Sequence, residues 1–235
     1  NIFKKFYLQI EANKLKKFEP IINFADVILA VNENDAQYFE RNYSNVKTVY
    51  LPSFHANEEI KIKSGKGEYV LYHGNLSISE NYESALWLIR NVFCESKQKI
   101  IIAGLNPPVF LKNIISQYKN IELIENPPQQ KMVELIENAH THCLHTFQGT
   151  GLKLKLLNVL FTGRFVICNT DMIRGTQLGK GDKDATYIAN KPLAIKALIE
   201  DLINDEITEA IIEERKKSLE IYFNQVNIKK LLDVI

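Results

Sequence analysis

A glycine turn, Gly149-Thr150-Gly151, is followed two and four residues later by Lys153 and Lys155. Backbone N–H groups of such a turn, set before a helix, favour an anion, and phosphate is the commonest one. Cations early in a helix oppose its dipole, so helix chemistry alone does not account for the two lysines. Two readings stand at this point. Either at least one lysine reaches back to a phosphate, or both are solvated and the glycines only make a tight turn. A second cluster, His140, His142, Cys143 and His145, invites a metal reading. Strand alternation puts His142 on the face opposite Cys143 and His145, so the four do not converge on a tetrahedron. His145, close to the turn, is the better candidate for a binding role; the competing role is a core-wall histidine.

Elements must hold these groups in place. Leu152 to Phe161 carries leucines at 152, 156 and 160 with Val159 beside them, which predicts one apolar helix face. Gly163 ends it, and Phe165 to Cys168 reads as a buried strand. With Thr141 to Phe147 as the strand before the turn, the unit is strand, glycine turn, helix, strand, the crossover of a parallel sheet. Further strands are expected at 27–31, 46–51, 69–73, 99–103, 121–124 and 185–189. Helices are expected at 2–18, 32–42, 81–93, 109–118, 129–139, 192–204, 206–223 and 226–235. Asn81 is placed as the cap of its helix, and the Glu/Lys run within 206–223 as a solvated face. The fold class is α/β, a Rossmann-like parallel sheet flanked by helices.

The 235 residues suffice for one or two domains with a real core. A net charge of +1 argues against general affinity for nucleic acid. The cysteines, Cys94, Cys143 and Cys168, form no pair motif, which suits buried thiols in a reducing compartment. No apolar run is long enough to span a bilayer, and no secretory signal pattern is present. The lysine-rich helix 2–18 could lie on an anionic membrane, a peripheral contact; docking on a sheet with a solvated lysine face is preferred.

The stretch G-T-G-L-K-L-K-L-L-N followed by G-R-F-V-I-C-N resembles the C-terminal half of the glycosyltransferase family 4 enzymes, which have the GT-B fold. Y-V-L-Y-H-G-N-L-S at 69–77 looks like the first strand and donor-side loop of the same domain. I-I-I-A-G at 100–104 looks like its second strand, and D-V-I-L-A-V at 26–31 like the end of the first domain. The resemblance covers roughly residues 20–222. In that family this segment carries two glutamates eight positions apart, on the donor sugar and the ribose. Here those positions are Thr150 and Asn158, so both carboxylates are absent. Asn158 could still hydrogen-bond ribose hydroxyls. Many relatives place an arginine and a lysine after the first-strand glycine for the donor diphosphate. Here Asn75 replaces the arginine and Ser79-Glu80-Asn81 follows, leaving Lys153 and Lys155 as substitutes.

The resemblance implies transfer of a sugar from a nucleotide-diphosphate sugar to a hydroxyl acceptor, with retention, in glycan or polysaccharide assembly. The acceptor would be a glycan or lipid-linked molecule, and the place the cytoplasm or inner membrane face. The implied donor residues are Gly74, Asn75, Ile124, Glu125, His145, Gly149, Thr150, Gly151, Lys153, Lys155, Asn158 and Arg174. His73 is either a donor-side ligand or part of the strand-end wall. No cofactor and no metal site are implied. The expected organisation is a first-domain remnant at 1–55, a linker at 56–67, the donor domain at 68–222 and a terminal crossover helix at 223–235. The chain reads as a fragment, so the acceptor-side base is left unnamed and the fragment alone is expected to be inactive. A degenerate, non-catalytic sugar-nucleotide binder is the alternative. An epimerase of the same fold would ask for carboxylates near the sugar, which this stretch lacks.

Overall fold

The computed structural model describes residues 2–179 and 182–234. A small N-terminal unit comes first: α1 (Ile2–Phe18), β1 (Val27–Ala30), α2 (Glu33–Asn42) and β2 (Lys47–Tyr50). β1 and β2 pair in parallel across α2, which is capped by the Asn32 side chain. A coil then leads into the main body: β3 (Val70–Asn75), α3 (Ser79–Asn91), β4 (Ile100–Leu105), α4 (Val109–Ile115), β5 (Ile121–Glu125), α5 (Gln129–Asn138) and β6 (Thr141–Leu144). It continues with α6 (Leu154–Thr162), β7 (Phe165–Cys168), α7 (Thr170–Ile173), β8 (Thr186–Ile188), α8 (Pro192–Leu202), α9 (Glu209–Ser218) and α10 (Asn224–Leu232).

The six strands β3–β8 form one all-parallel sheet, ordered β5-β4-β3-β6-β7-β8. This doubly wound order reverses between β3 and β6, and ligands of open parallel sheets bind at the carboxyl ends of the strands at such a reversal. Strands covered on both faces are apolar nearly throughout. Val70, Tyr72, Ile100, Ile102, Phe165 and Ile167 pack on the side of α3 and α8, and Leu71, Ile101, Val166 and Cys168 on the side of α5 and α6.

Several expectations are corrected. The apolar residues of α1 do not dock on a sheet: Phe3, Phe6, Leu15 and Phe18 are all exposed. The expected single helix at 206–223 is α9 followed by a short 3₁₀ turn at Glu220–Tyr222. Its charged run is not uniformly solvated. Arg215 is wholly buried and donates to the carbonyls of Asp184 (2.7 Å), Gly163 (2.7 Å) and Ala185 (3.1 Å). Those carbonyls lie just before β7 and β8, that of Ala185 also accepting from the Val166 N–H at 3.0 Å, and a guanidinium carries enough donors for all three. Cys168 is followed by the short helix α7. Lys180 and Gly181, within the polar turn expected at 179–184, and Ile235 of the terminal helix lie outside the described residues.

The N-terminal unit meets the main body at Gly175. Asn32 Nδ2 donates to the Arg174 carbonyl at 3.2 Å, and the Glu33 N–H to that of Gly175 at 2.8 Å. Gly175 has φ +74°, and a Cβ there would stand 2.0 Å from Asn32 Oδ1, so the close approach requires glycine. The coil at 56–67 is held down as well. Arg164 donates to the Gly65 carbonyl at 3.2 Å, and the Lys61 N–H to that of Phe161 at 2.7 Å. His55, just before this coil, is half-buried; its Nε2 lies 2.9 Å from the Tyr222 carbonyl.

Candidate functional site

Two loops meet where the sheet order reverses. The first follows β3 through Asn75-Leu76-Ser77-Ile78 into α3. Asn75 Oδ1 accepts from the N–H (3.1 Å) and Oγ (2.8 Å) of Ser77, a turn that starts the next element. The cap position of α3 is Ile78, not Asn81, and it makes no side-chain cap bond. Asn81 is instead turned inward: its Nδ2 donates to the Asn75 carbonyl at 2.9 Å, and its Oδ1 accepts from Lys155 Nζ at 2.9 Å.

Lys155 arrives from the second loop, after β6. The helix there begins at Leu154 rather than Leu152, with Lys153 at the cap position, so Lys153 is not inside the first turn. The glycine turn therefore precedes the helix by several residues, with Gly151 at φ +68°. Lys153 Nζ folds back onto the Thr150 carbonyl. Lys155 lies in the first helical turn and points to the crevice, 5.7 Å above the Tyr72 ring. Burial pushes its ammonium down to about 8, with Glu80 pulling it upward and Lys153 adding to the lowering.

Histidines wall the same end of the sheet. Burial lowers His73 to about 4, and the Lys155 charge adds to that. Burial likewise lowers His145 to about 4, with Asp171 opposing and Lys155 reinforcing. His145 stacks on Trp87 with ring centroids 4.3 Å apart and meets Phe147 edge-on at 4.7 Å. Both rings are neutral at pH 7. Cys143 packs on one face of the sheet and Leu144 on the other, the alternation expected of a strand. Among the described residues no group of three or more His, Cys, Asp or Glu could hold a metal ion.

Beside the crevice lies a mostly apolar depression of about 380 Å³, lined by His73, Gly74, Asn75, Gly104, Leu105, Pro127, Gln129 and Met132. Ile124 and Glu125 end β5 on its flank, and the Glu125 carboxylate pairs with Lys112. On the other flank Gly149 packs against Asp171 and Arg174, which form an ion pair of 2.6 Å. The structure thus brings Gly74, Asn75 and Lys155 together at the reversal point, with His145 behind them and the 149–151 turn alongside. Asn158 stands apart: it is exposed on α6, and its Oδ1 accepts from Asn57 Nδ2 at 2.9 Å. Sequence reasoning gave no role to Glu80, Thr146, Asn169 or Asp171. An acidic residue in a helix's first turn suits the dipole, so its type and position alone give no signal of a further role for Glu80.

The sequence matches no protein-family model, and no curated protein matches it. Solved structures do match. S. aureus TarM, in complex with fondaparinux, alpha-GlcNAc-glycerol and UDP, superposes with TM-score 0.70 at 14% identity, over 91% of this chain and 44% of that one. The chain has the fold of the GT-B glycosyltransferases. Sucrose-phosphate synthase from Thermosynechococcus elongatus matches with TM-score 0.71 at 9% identity, over 93% of this chain and 60% of that one. A glycosyltransferase from Rickettsia africae matches with TM-score 0.68 at 12% identity, over 94% and 66%. The chain spans about half the length of the TarM structures it matches. The GT-B assignment rests on shape, and the all-parallel sheet with its reversal between β3 and β6 is the part that positions the crevice.

Proposed function

We propose that this chain forms the donor half of a retaining glycosyltransferase, which moves a sugar from a nucleotide diphosphate to a hydroxyl acceptor in glycan or polysaccharide assembly. The observation that carries the reading is the Lys155 ammonium at the carboxyl ends of β3 and β6, bonded to Asn81 at 2.9 Å. Relatives of family 4 place phosphate cations in the loop after the first strand of this domain; here Asn75 opens that loop, Asn81 lies in the first turn of α3, and the cation comes from α6. An ammonium carries three donors, so with one bound to Asn81 the others are available to a diphosphate. In a half-buried site such contacts are stronger than in water.

In this reading Gly149, Thr150 and Gly151 offer backbone N–H groups to the diphosphate or sugar, Lys153 and Arg174 add charge at the rim, and Gly74 and Asn75 face them. The apolar depression, flanked by Ile124 and Glu125, takes the base. His145 walls the sugar side, and Asn158 turns from Asn57 to the ribose. Developing negative charge on the leaving diphosphate is met by Lys155 and loop amides, with no metal required of these residues. Residues 1–55 would be a remnant of the acceptor half, 56–67 the linker, and 223–235 the crossover helix.

The second reading is a degenerate, non-catalytic binder. It is favoured by Asn158 pointing to Asn57 and by the missing carboxylate at Thr150. Calorimetric titration with UDP, GDP and their sugar conjugates separates the readings from a non-binding fold. Binding of one diphosphate, weakened about tenfold or more by Lys155→Ala, supports a donor site. Failure of both this chain and a longer chain containing it to bind any of them at millimolar concentration rejects it. Hydrolysis of the bound sugar nucleotide by the longer chain then divides enzyme from binder.

A further inference from the structure

Two hydrogen-bonded chains cross the crevice floor. One runs from the Asn75 carbonyl through Asn81 to Lys155. The other begins one residue earlier, at Glu80. The Thr146 hydroxyl donates to Glu80 Oε1 and accepts from the Gln148 N–H at 3.1 Å. The Gln148 side chain then donates to Thr150 Oγ1 at 3.2 Å. Thr146 itself is wholly buried, and its backbone is clamped by the Asn169 amide, which accepts from its N–H at 3.2 Å and donates to its carbonyl at 2.7 Å.

A hydroxyl has one proton and two lone pairs. With its proton given to the Glu80 carboxylate, the Thr146 oxygen keeps a lone pair aimed at the Gln148 N–H. The carboxylate therefore orients the hydroxyl, and the hydroxyl orients the turn. A bond from a neutral donor to a carboxylate is also stronger than one between neutral groups. For anion binding alone a carboxylate here is misplaced, because like charges repel across a half-buried site. Its hydrogen bond, across 66 residues of sequence, gives it another purpose.

We propose that Glu80 is a positioning residue for the glycine turn: through the Thr146 hydroxyl it holds Gln148 and Thr150 on the donor side of the crevice. The consequence for ligands rests on the donor reading above; the anchoring of the turn does not.

The test compares amide hydrogen exchange at Gln148 and the 149–151 turn in the ligand-free wild type, Thr146→Val, Glu80→Ala and Glu80→Gln, with UDP and GDP titrations beside it. Thr146→Val and Glu80→Ala should speed exchange at Gln148 by about tenfold. Glu80→Gln keeps an acceptor and should change it by less than about threefold. Diphosphate affinity should fall in the same order. In Glu80→Gln the pH at which binding is lost should also move down, because the charge that supports the Lys155 ammonium is gone. That displacement reports the Glu80 charge at Lys155, whereas the local exchange at Gln148, spared in Glu80→Gln and raised in Glu80→Ala, reports the anchoring of the turn. Unchanged exchange at Gln148 in both Thr146→Val and Glu80→Ala overturns the proposal. So does a rise spread evenly over the six strands with no excess at Gln148. A wild type that binds no diphosphate counts against the donor reading alone, since exchange is read without ligand.

Discussion

Lys155 Nζ and Asn81 Oδ1 meet at 2.9 Å across 74 residues of sequence. The contact joins the two loops that flank the reversal point of the sheet. Burial holds the ammonium down to about 8 from its ordinary 10.5. Binding of a diphosphate should therefore weaken as pH rises through about 8, well below the range of an exposed lysine. A titration series from pH 6.5 to 9.5 checks this, and Lys155→Arg, which stays charged, should flatten the profile. Unliganded stability should move the other way. Between about 8 and 10.5 the unfolded chain holds the proton and the folded one has released it, so this group adds stability as pH rises.

His73 and His145 give the opposite limb. Both are held down to about 4 by burial, against 6.5 in the unfolded chain. The unfolded state binds more protons between those values, so stability should fall as pH is lowered from 6.5 towards 4. Urea midpoints at pH 7 and pH 5 test this. His145→Phe, which keeps an aromatic surface against Trp87, should lessen the difference.

Arg215 should be among the costliest single positions. Its guanidinium serves the carbonyls of Asp184, Gly163 and Ala185, and all three of these residues are buried. Arg215→Met should destabilise by about 3 kcal/mol or more, since the buried Asp184 and Gly163 carbonyls lose a charged donor at once. Arg215→Lys should recover less than half, because a single ammonium cannot span the three carbonyls. Chemical denaturation measures both.

Gly175→Ala should loosen the contact between the N-terminal unit and the main body. The added Cβ would sit 2.0 Å from Asn32 Oδ1, and φ +74° already disfavours any L side chain. We expect a loss of about 1–3 kcal/mol, seen in denaturation and in faster amide exchange over β1, α2 and β2. The six-stranded sheet should keep its protection.

Many of the elements were legible because their residues carry a local pattern. Phe165 to Cys168 is an apolar run between polar breaks, and the strand has the expected bounds. Asn32 before an acidic first turn marks a helix start, and the cap bond to the Asn34 N–H is there. Where the pattern was only half local, the reading slipped. Asn81 has the residue type of a cap, but its amide is drawn to Asn75 and Lys155, and the preceding Ile78 holds the cap position without a side-chain bond. Arg215 sits in a run of glutamates and lysines, and nothing in that run distinguishes the one side chain that turns inward.

The amino-acid sequence by itself determined the alternation of strand and helix, the parallel character of the sheet and the glycine turn before α6. Those follow from apolar periodicity and turn chemistry, which act over a few residues. Tertiary structure decided which polar groups meet. Strand order brings the loops after β3 and β6 side by side, and only then do Glu80 and Thr146, or Asn81 and Lys155, come within hydrogen-bonding reach. A hydrogen bond needs about 3 Å, and separation along the chain carries no information about distances of that size once the sheet has closed.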